Sequence, residues 1–321
     1  MAMKRPDFFI AGQSKSGTTA LYHFLRAHPQ IYMSRPKEPN YFAKDFCRDP
    51  DPNGSFHPRT EDEYLSFFAD ARPDDRCGEA SACYLYSKVA AREIHAFNPE
   101  AKLIAMLREP VDFLYSYYLQ QLKNPITEGE DAPDFETALA LEPERKAGRR
   151  IPKGCLVPEL LYYSERIKYA EQLERLYEHF DPPQVLVIIY DDFRRDNAGV
   201  YRQVLEFLGV DPDFTPAFET HNKGAELRSK RMQRFMRKVT FGDGWAAPIK
   251  KAVKALLPRD VRKGMVDAVY DKVVFKPKEG LDPVLVRRLK REYRGEVEKI
   301  GAMLGRDLLT LWGYEEEQVT V

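Results

Sequence analysis

The chain opens with an apolar run, Phe8-Phe9-Ile10-Ala11-Gly12. The run breaks at glycine and passes through Gln13-Ser14-Lys15-Ser16-Gly17 to Thr18-Thr19 and a helical pattern. No other feature constrains the fold as tightly. Leu21, Phe24 and Leu25 recur at helical spacing, and His28-Pro29 ends the pattern, since proline cannot continue a helix. A strand that turns at glycine into a helix aims successive backbone N–H groups at one spot, and the helix dipole adds its positive end there. Such a spot takes an anion.

Gly12 and Gly17 have the spacing of the P-loop, G-x-x-x-x-G-K-[ST]. Thr18, however, stands where the P-loop has its lysine, and the lysine sits inside the loop at Lys15. That relocation argues against an ordinary nucleoside-triphosphate kinase and for a different group transfer. Ser14, Lys15, Ser16, Gly17, Thr18 and Thr19 are the expected anion contacts, and Thr18 and Thr19 can also cap the helix.

Along the rest of the chain, residues 31–60 are rich in Pro, Asn and Asp and read as a long loop. Leu103–Leu107 reads as a second buried strand, followed by Arg108-Glu109-Pro110 and a helix over 111–123, with Pro110 suited to a first helical turn. Residues 124–158 read as loop with one short helix. A long amphipathic helix follows, carrying Leu161, Ile167, Leu173, Leu176 and Phe180. Val185–Tyr190 is a third continuous apolar run, as expected of a parallel strand. A helix over 197–208 stops at Gly209, and a last helix spans 283–306. Strands alternating with helices give an α/β fold. The expected organisation is a single P-loop-like domain over 1–321. A central parallel sheet flanked by helices forms the core (5–225), and a basic helical extension covers 226–321.

Bulk properties narrow the function. Fifty basic and fifty acidic residues cancel, so no nucleic-acid partner is implied. Cys47, Cys77, Cys83 and Cys155 show neither a C-x-x-C pair nor a disulfide framework, and no metal site is expected. No apolar stretch approaches the roughly 20 residues that span a bilayer, and the apolar run near the N-terminus is too short for a signal peptide. The expected setting is cytoplasmic. Arg228 to Lys263 is strongly basic, with Asp243 and Asp260 as its only acids. It reads either as a solvated helical face or as a surface for an anionic substrate or membrane headgroups.

Three segments taken together resemble the sulfotransferases that use 3′-phosphoadenosine 5′-phosphosulfate (PAPS). Lys15-Ser16-Gly17-Thr18-Thr19 resembles their 5′-phosphosulfate loop. Arg108-Glu109-Pro110 with Ser116 looks like their 3′-phosphate motif, R-[DE]-P-x-x-x-x-x-S. Lys37-Glu38-Pro39-Asn40-Tyr41-Phe42 is similar to the segment that carries the catalytic glutamate in the glycan sulfotransferases. Gly305-Arg306-Asp307-Leu308 before Trp312 looks like the ending of bacterial members, so the resemblance spans most of the chain. Gly78–Leu85 matches a segment on the acceptor side, with Ala80 where glycan sulfotransferases place a lysine; this departure argues against a heparan-type substrate. Arg228 is similar to basic residues of a late loop that closes over the 3′-phosphate.

The chemistry agrees with the resemblance. A donor with a phosphosulfate and a separate 3′-phosphate needs two anion sites. Arg108, at the end of a strand, can fork two N–H bonds onto a phosphate, and Ser116 can add a hydroxyl. Lys15 would meet the charge that grows on the leaving phosphate. Glu38 would serve as general base toward an acceptor hydroxyl, with His57 and His221 as runners-up and His28 expected to be structural. The acceptor is expected to be a small molecule, glycan or lipid, the spent donor 3′-phosphoadenosine 5′-phosphate. The aromatics Tyr41, Phe42, Tyr84, Tyr86, Tyr117, Tyr118, Tyr162 and Tyr163 read either as core or as lining of a sugar or lipid site. Two other function classes stay open: a P-loop-type kinase of a small metabolite, and a polyanion- or membrane-binding module built on 228–263. Asp191 and Asp192, at the end of an apolar run, mimic a Walker B strand and read instead as a strand-end turn.

Overall fold

Five parallel strands carry the fold: β1 (Phe8–Gly12), β2 (Ile31–Met33), β3 (Arg76–Ala80), β4 (Lys102–Leu107) and β5 (Val185–Ile189). They lie in the order β2-β3-β1-β4-β5. The computed structural model describes residues 4–47, 58, 60–123, 129–153, 155–218, 225–227, 275–277 and 280–315. β1 is central: it pairs with β3 on one side (Ile10 opposite Ala80) and with β4 on the other (Ile10 opposite Ile104). The chain winds from β1 toward β2 and β3, then crosses back to β4 and β5. The direction of winding therefore reverses between β1 and β4, and open parallel sheets bind ligands at the carboxyl ends of strands beside such a reversal.

Alternation along β1 sends its side chains to two different cores. Phe8 and Ile10 join Leu21, Phe24 and Leu25 of the helix α1 (Thr18–Arg26) and Val204, Leu205 and Leu208 of the helix Asn197–Leu208. Phe9, on the opposite face, meets Phe42 edge-on at 5.6 Å and Tyr84 at 6.4 Å. Phe42 also contacts Tyr64 at 5.2 Å and Phe97 at 5.2 Å. The segment after Glu38 is thus anchored beneath the sheet by an aromatic cluster.

The chain divides into two compact units. One, with the sheet, comprises Met1–Leu114, Tyr163–His221 and Arg287–Val321; the other comprises Tyr115–Tyr162 and Asn222–Val286. Within the second, Arg145 and Glu130 are fully buried and paired through two hydrogen bonds of 2.8 and 2.6 Å. Tyr117 donates to the Leu160 carbonyl at 2.9 Å. Ala225–Leu227 and Phe275–Pro277 form a short antiparallel pair. Among the described residues no helix is long and apolar enough to cross a membrane.

Several local expectations are corrected. Residues 31–60 are not loop throughout: Ile31–Met33 is a strand and Lys44–Phe46 a short 3₁₀ turn. Three residues are too few for a periodic signal. β3 is masked in the sequence by Arg76, Gly78 and Glu79, two of them polar. The long amphipathic helix is broken into Pro158–Leu161, Tyr163–Arg166 and Tyr169–Tyr177. The loop 124–158 holds two short helices among its described residues, Phe135–Ala140 and Glu142–Lys146. Tyr190 leaves the strand and opens a helix, Tyr190–Arg195, that carries Asp191 and Asp192. Of the eight singled-out aromatics, Phe42, Tyr84, Tyr86, Tyr117, Tyr118 and Tyr163 are buried; they are core.

Candidate active site

The turn after β1 is built on two glycines. Gly12 has φ +153°, and a Cβ there would lie 2.8 Å from Leu85 Cβ and 2.9 Å from the Ala82 carbonyl oxygen. Gly17 has φ +93° and a Cβ would press on the Phe193 ring at 3.1 Å. Both positions therefore require glycine. Between them Lys15 itself takes a left-handed conformation, φ 62°. Gly17 is the N-cap of α1, with no side-chain cap bond. Thr18 and Thr19 consequently fall inside the first turn and do not cap it; a capping side chain must stand one residue outside the helix. The first N–H groups of α1 have no intrahelical acceptor and face the turn.

Gln13 was not legible as a site residue, yet it fixes the base of the turn. It is fully buried. Its N–H bonds the Met106 carbonyl at 2.8 Å, its Nε2 donates to the Arg166 carbonyl at 3.1 Å, and its Oε1 accepts the Ser14 N–H at 3.0 Å. Arg166 returns a bond from Nη2 to Gln13 Oε1 at 3.3 Å, and its guanidinium lies 4.4 Å from the centre of the Tyr86 ring. Ser16 is buried, its Oγ 3.4 Å from the Ser14 carbonyl oxygen.

Arg108 follows β4 directly. Its Nη1 donates to the Lys15 carbonyl oxygen at 2.9 Å and its Nη2 to Asp112 Oδ2 at 3.1 Å. The Tyr190 ring lies 4.9 Å from Cζ, and Tyr169 donates to the Arg108 carbonyl at 3.0 Å. Arg108 Nε is buried with no hydrogen-bond partner among the described residues. A buried guanidinium N–H without an acceptor is costly and fits an anionic ligand group. Ser116 is half-buried on the helix Pro110–Lys123 that starts two residues after Arg108. Arg228 and the basic segment 228–263 lie outside the described residues, as do His57 and His221.

Glu38 sits where β2 has ended and the chain runs alongside the end of β3. Its N–H bonds the Ala80 carbonyl at 2.9 Å. Two residues on, the Asn40 N–H bonds Ser81 Oγ at 3.0 Å, and the Phe42 N–H bonds the Tyr84 hydroxyl at 3.3 Å. Glu38 and Asn40 are both left-handed, with φ 60° and 55°. The Glu38 carboxyl is 48% exposed and pairs with Lys37. Beneath it, Glu79 is fully buried on β3 and accepts the Ser81 hydroxyl at 3.3 Å. Burial pushes the Glu79 carboxyl from its ordinary 4.5 up to about 8, against the pull of the Tyr84, Ser81 and Tyr64 hydroxyls; the nearby Glu38 charge adds to the rise. His28 is structural: its Nδ1 accepts the Gln30 N–H at 3.1 Å, its Nε2 lies 2.9 Å from the Asp211 carbonyl oxygen, and its ring packs on Phe214.

Lys15, Glu38 and Arg108 thus stand on the carboxyl edge of three consecutive strands of the sheet, with the Lys15 turn in the middle. The Walker B mimic is engaged otherwise: Asp191 accepts the Trp312 indole N–H at 2.9 Å and Asp192 pairs with Arg306 and Arg195.

The sequence profile of the sulfotransferase domain matches residues 88–255, more than half of the chain. The chain belongs to the PAPS-dependent sulfotransferase family. The sulfotransferase of Alicyclobacillus acidocaldarius has a similar structure, with a TM-score of 0.69 at 26% identity over 97% of this chain and 99% of that one. Among curated proteins, the human bifunctional heparan sulfate N-deacetylase/N-sulfotransferase 3 is 32% identical over 211 residues, 65% of this chain and 23% of that protein. N-deacetylase/N-sulfotransferase 1 of Xenopus tropicalis is 32% identical over 209 residues, 64% of this chain and 22% of that protein. The chain therefore spans less than a quarter of the length of these curated relatives. The strands that deliver Lys15 and Arg108, β1 and β4, are neighbours in the sheet.

Proposed function

We propose that this chain moves the sulfuryl group of PAPS to a hydroxyl of a carbohydrate, lipid or other small-molecule acceptor. The observation that supports this reading is the 2.9 Å bond from Arg108 to the Lys15 carbonyl, between two segments 93 residues apart. A donor with a phosphosulfate at one end and a 3′-phosphate at the other calls for that pairing.

In this reading the turn Ser14–Thr19 holds the phosphosulfate, with backbone N–H groups and the helix end supplying the positive field. Arg108, Ser116 and Arg228 hold the 3′-phosphate. Glu38 takes the proton of the acceptor hydroxyl as that oxygen bonds to sulfur. The bond from sulfur to the 5′-phosphate oxygen breaks in line, and Lys15 meets the charge left on that oxygen. Positioning and charge stabilisation suffice for such a transfer, and the reading uses no metal. The whole of 1–321 is taken as one sulfotransferase domain, and the basic segment 228–263 as its contact with an anionic acceptor or headgroup layer.

A second reading concerns only the acceptor. The curated relatives carry N-sulfotransferase in their names, which favours an amine in place of the hydroxyl. Transfer of radiolabelled sulfate from PAPS to a panel of alcohols, glycans and amino sugars separates the two. Failure to bind adenosine 3′,5′-bisphosphate, the spent donor, overturns both. Heparin or liposome binding that survives replacement of both Lys15 and Arg108, without transfer, would favour a binding module instead.

A further inference from the structure

The last described segment, Arg306–Tyr314, reaches back to both supports of Arg108. On one side, the Tyr314 hydroxyl donates to Glu109 Oε1. Glu109 accepts the Val111 N–H at 3.1 Å and the Asp112 N–H at 2.6 Å, so its carboxylate closes the first turn of the helix that starts at Pro110. Asp112, in that turn, is the residue that takes the Arg108 Nη2–H at 3.1 Å. On the other side, Trp312 donates to Asp191 at 2.9 Å and Arg306 pairs with Asp192. These acids open the helix whose first residue, Tyr190, stacks on the Arg108 guanidinium.

The segment is itself firmly seated. Leu308, Trp312 and Tyr314 are 1%, 5% and 3% exposed. Lys290 donates to the Trp312 carbonyl at 2.6 Å and Arg294 to the Tyr314 carbonyl at 2.8 Å. Asp307 and Thr310 bond locally, but Arg306, Trp312 and Tyr314 are spent on Asp192, Asp191 and Glu109, the residues beside the supports of Arg108, which apolar packing alone does not require.

The geometry points to Arg306–Tyr314 as the positioning element of Arg108: when docked, it holds the guanidinium in the orientation that forks onto the 3′-phosphate of a nucleoside bisphosphate. Tyr314 and Trp312 are positioning residues, acting through Glu109 and Tyr190. The inference rests on the reading of Arg108 as the 3′-phosphate contact.

The test uses the full chain with Tyr314→Phe, which keeps the ring and removes only the hydroxyl, and Trp312→Phe, which stays aromatic but loses the indole N–H together with part of the ring. Calorimetric titration compares adenosine 3′,5′-bisphosphate with adenosine 5′-monophosphate, which lacks the phosphate in question, and thermal melting is recorded alongside. Each variant is expected to bind the bisphosphate about five- to tenfold more weakly, the loss of one hydrogen bond's worth of alignment, with affinity for the monophosphate unchanged. Asp191→Asn, which keeps an acceptor for Trp312, is expected to match the wild type. Unchanged bisphosphate affinity, or equal loss for both nucleotides, overturns the inference while leaving the site reading intact. A wild-type chain that binds no bisphosphate overturns the site reading and the inference with it. If Trp312→Phe fails to fold, Tyr314→Phe, which loses a single oxygen, decides.

Discussion

Arg108 Nη1 donates to the backbone carbonyl oxygen of Lys15 at 2.9 Å. The bond fixes the register between the turn after β1 and the end of β4 without consuming the whole guanidinium: its Nε remains without a protein acceptor among the described residues. Two motifs that lie far apart in the sequence are therefore directly hydrogen-bonded to each other.

Lys15 and Arg108 should separate in their effects. Lys15→Ala is expected to lower turnover by roughly 10²–10³, the usual cost of one preorganised donor at a leaving group. Arg108→Ala should act chiefly on donor affinity, raising the KM for PAPS with a smaller fall in kcat. Steady-state kinetics with varied PAPS check both; equal and small effects would contradict the assigned roles.

Glu38→Gln keeps the backbone bond to Ala80 and removes only the basic oxygen. Transfer to a hydroxyl acceptor should fall by roughly 10²–10⁴, with affinity for adenosine 3′,5′-bisphosphate unchanged. A variant that loses nucleotide affinity in step with activity would point to a structural role for the Lys37–Glu38 pair.

Phe42→Ala should destabilise the protein by about 3–5 kcal/mol, since the ring is buried against Phe9, Tyr64, Tyr84 and Phe97. Because the same residue anchors the Glu38 segment, activity at temperatures where the variant remains folded should also drop. Denaturant titration and assay below the transition separate the two effects.

Glu79 gives a pH dependence of stability. The folded chain keeps this proton up to about pH 8, whereas an unfolded glutamate releases it near 4.5. Between those values the unfolded state binds fewer protons, so stability falls as pH rises. Glu79→Gln should flatten that slope and stabilise the protein at pH 8 by roughly a few kcal/mol relative to wild type. Denaturant midpoints at pH 5.5 and 8 measure it; parallel shifts in both proteins would show that another group sets the slope.

What the sequence revealed depended on how local each signal was. The β1 turn, the strand before Arg108 and the helix ending at Gly209 were legible because runs of apolar residues, glycines and prolines act over a few positions. β3 was not, because Arg76 and Glu79 look like loop residues until Glu79 is seen to be enclosed by hydroxyls. Ile31–Met33 was too short to show a period. Gln13 and Tyr190 serve the site through partners more than 80 positions away in the chain, Arg166 and Arg108. Nothing local marks such a contact, just as nothing in the Asp191-Asp192 pair indicates that Trp312 and Arg306 occupy it.

The strand order has a consequence for how such a chain can diversify. With β1 in the middle, Arg108 hangs from β4 on one side, while on the other the Glu38 segment is bonded to the end of β3 and to the residues just after it, Ser81 and Tyr84. The two sides meet at β1 and the turn at Lys15. The exposed positions of the Glu38 segment, Arg35, Pro36 and Lys44 among them, can therefore vary to suit a new acceptor while Glu38 and the buried Phe42 are kept, and a library confined to those positions should yield altered acceptor preference at constant bisphosphate affinity.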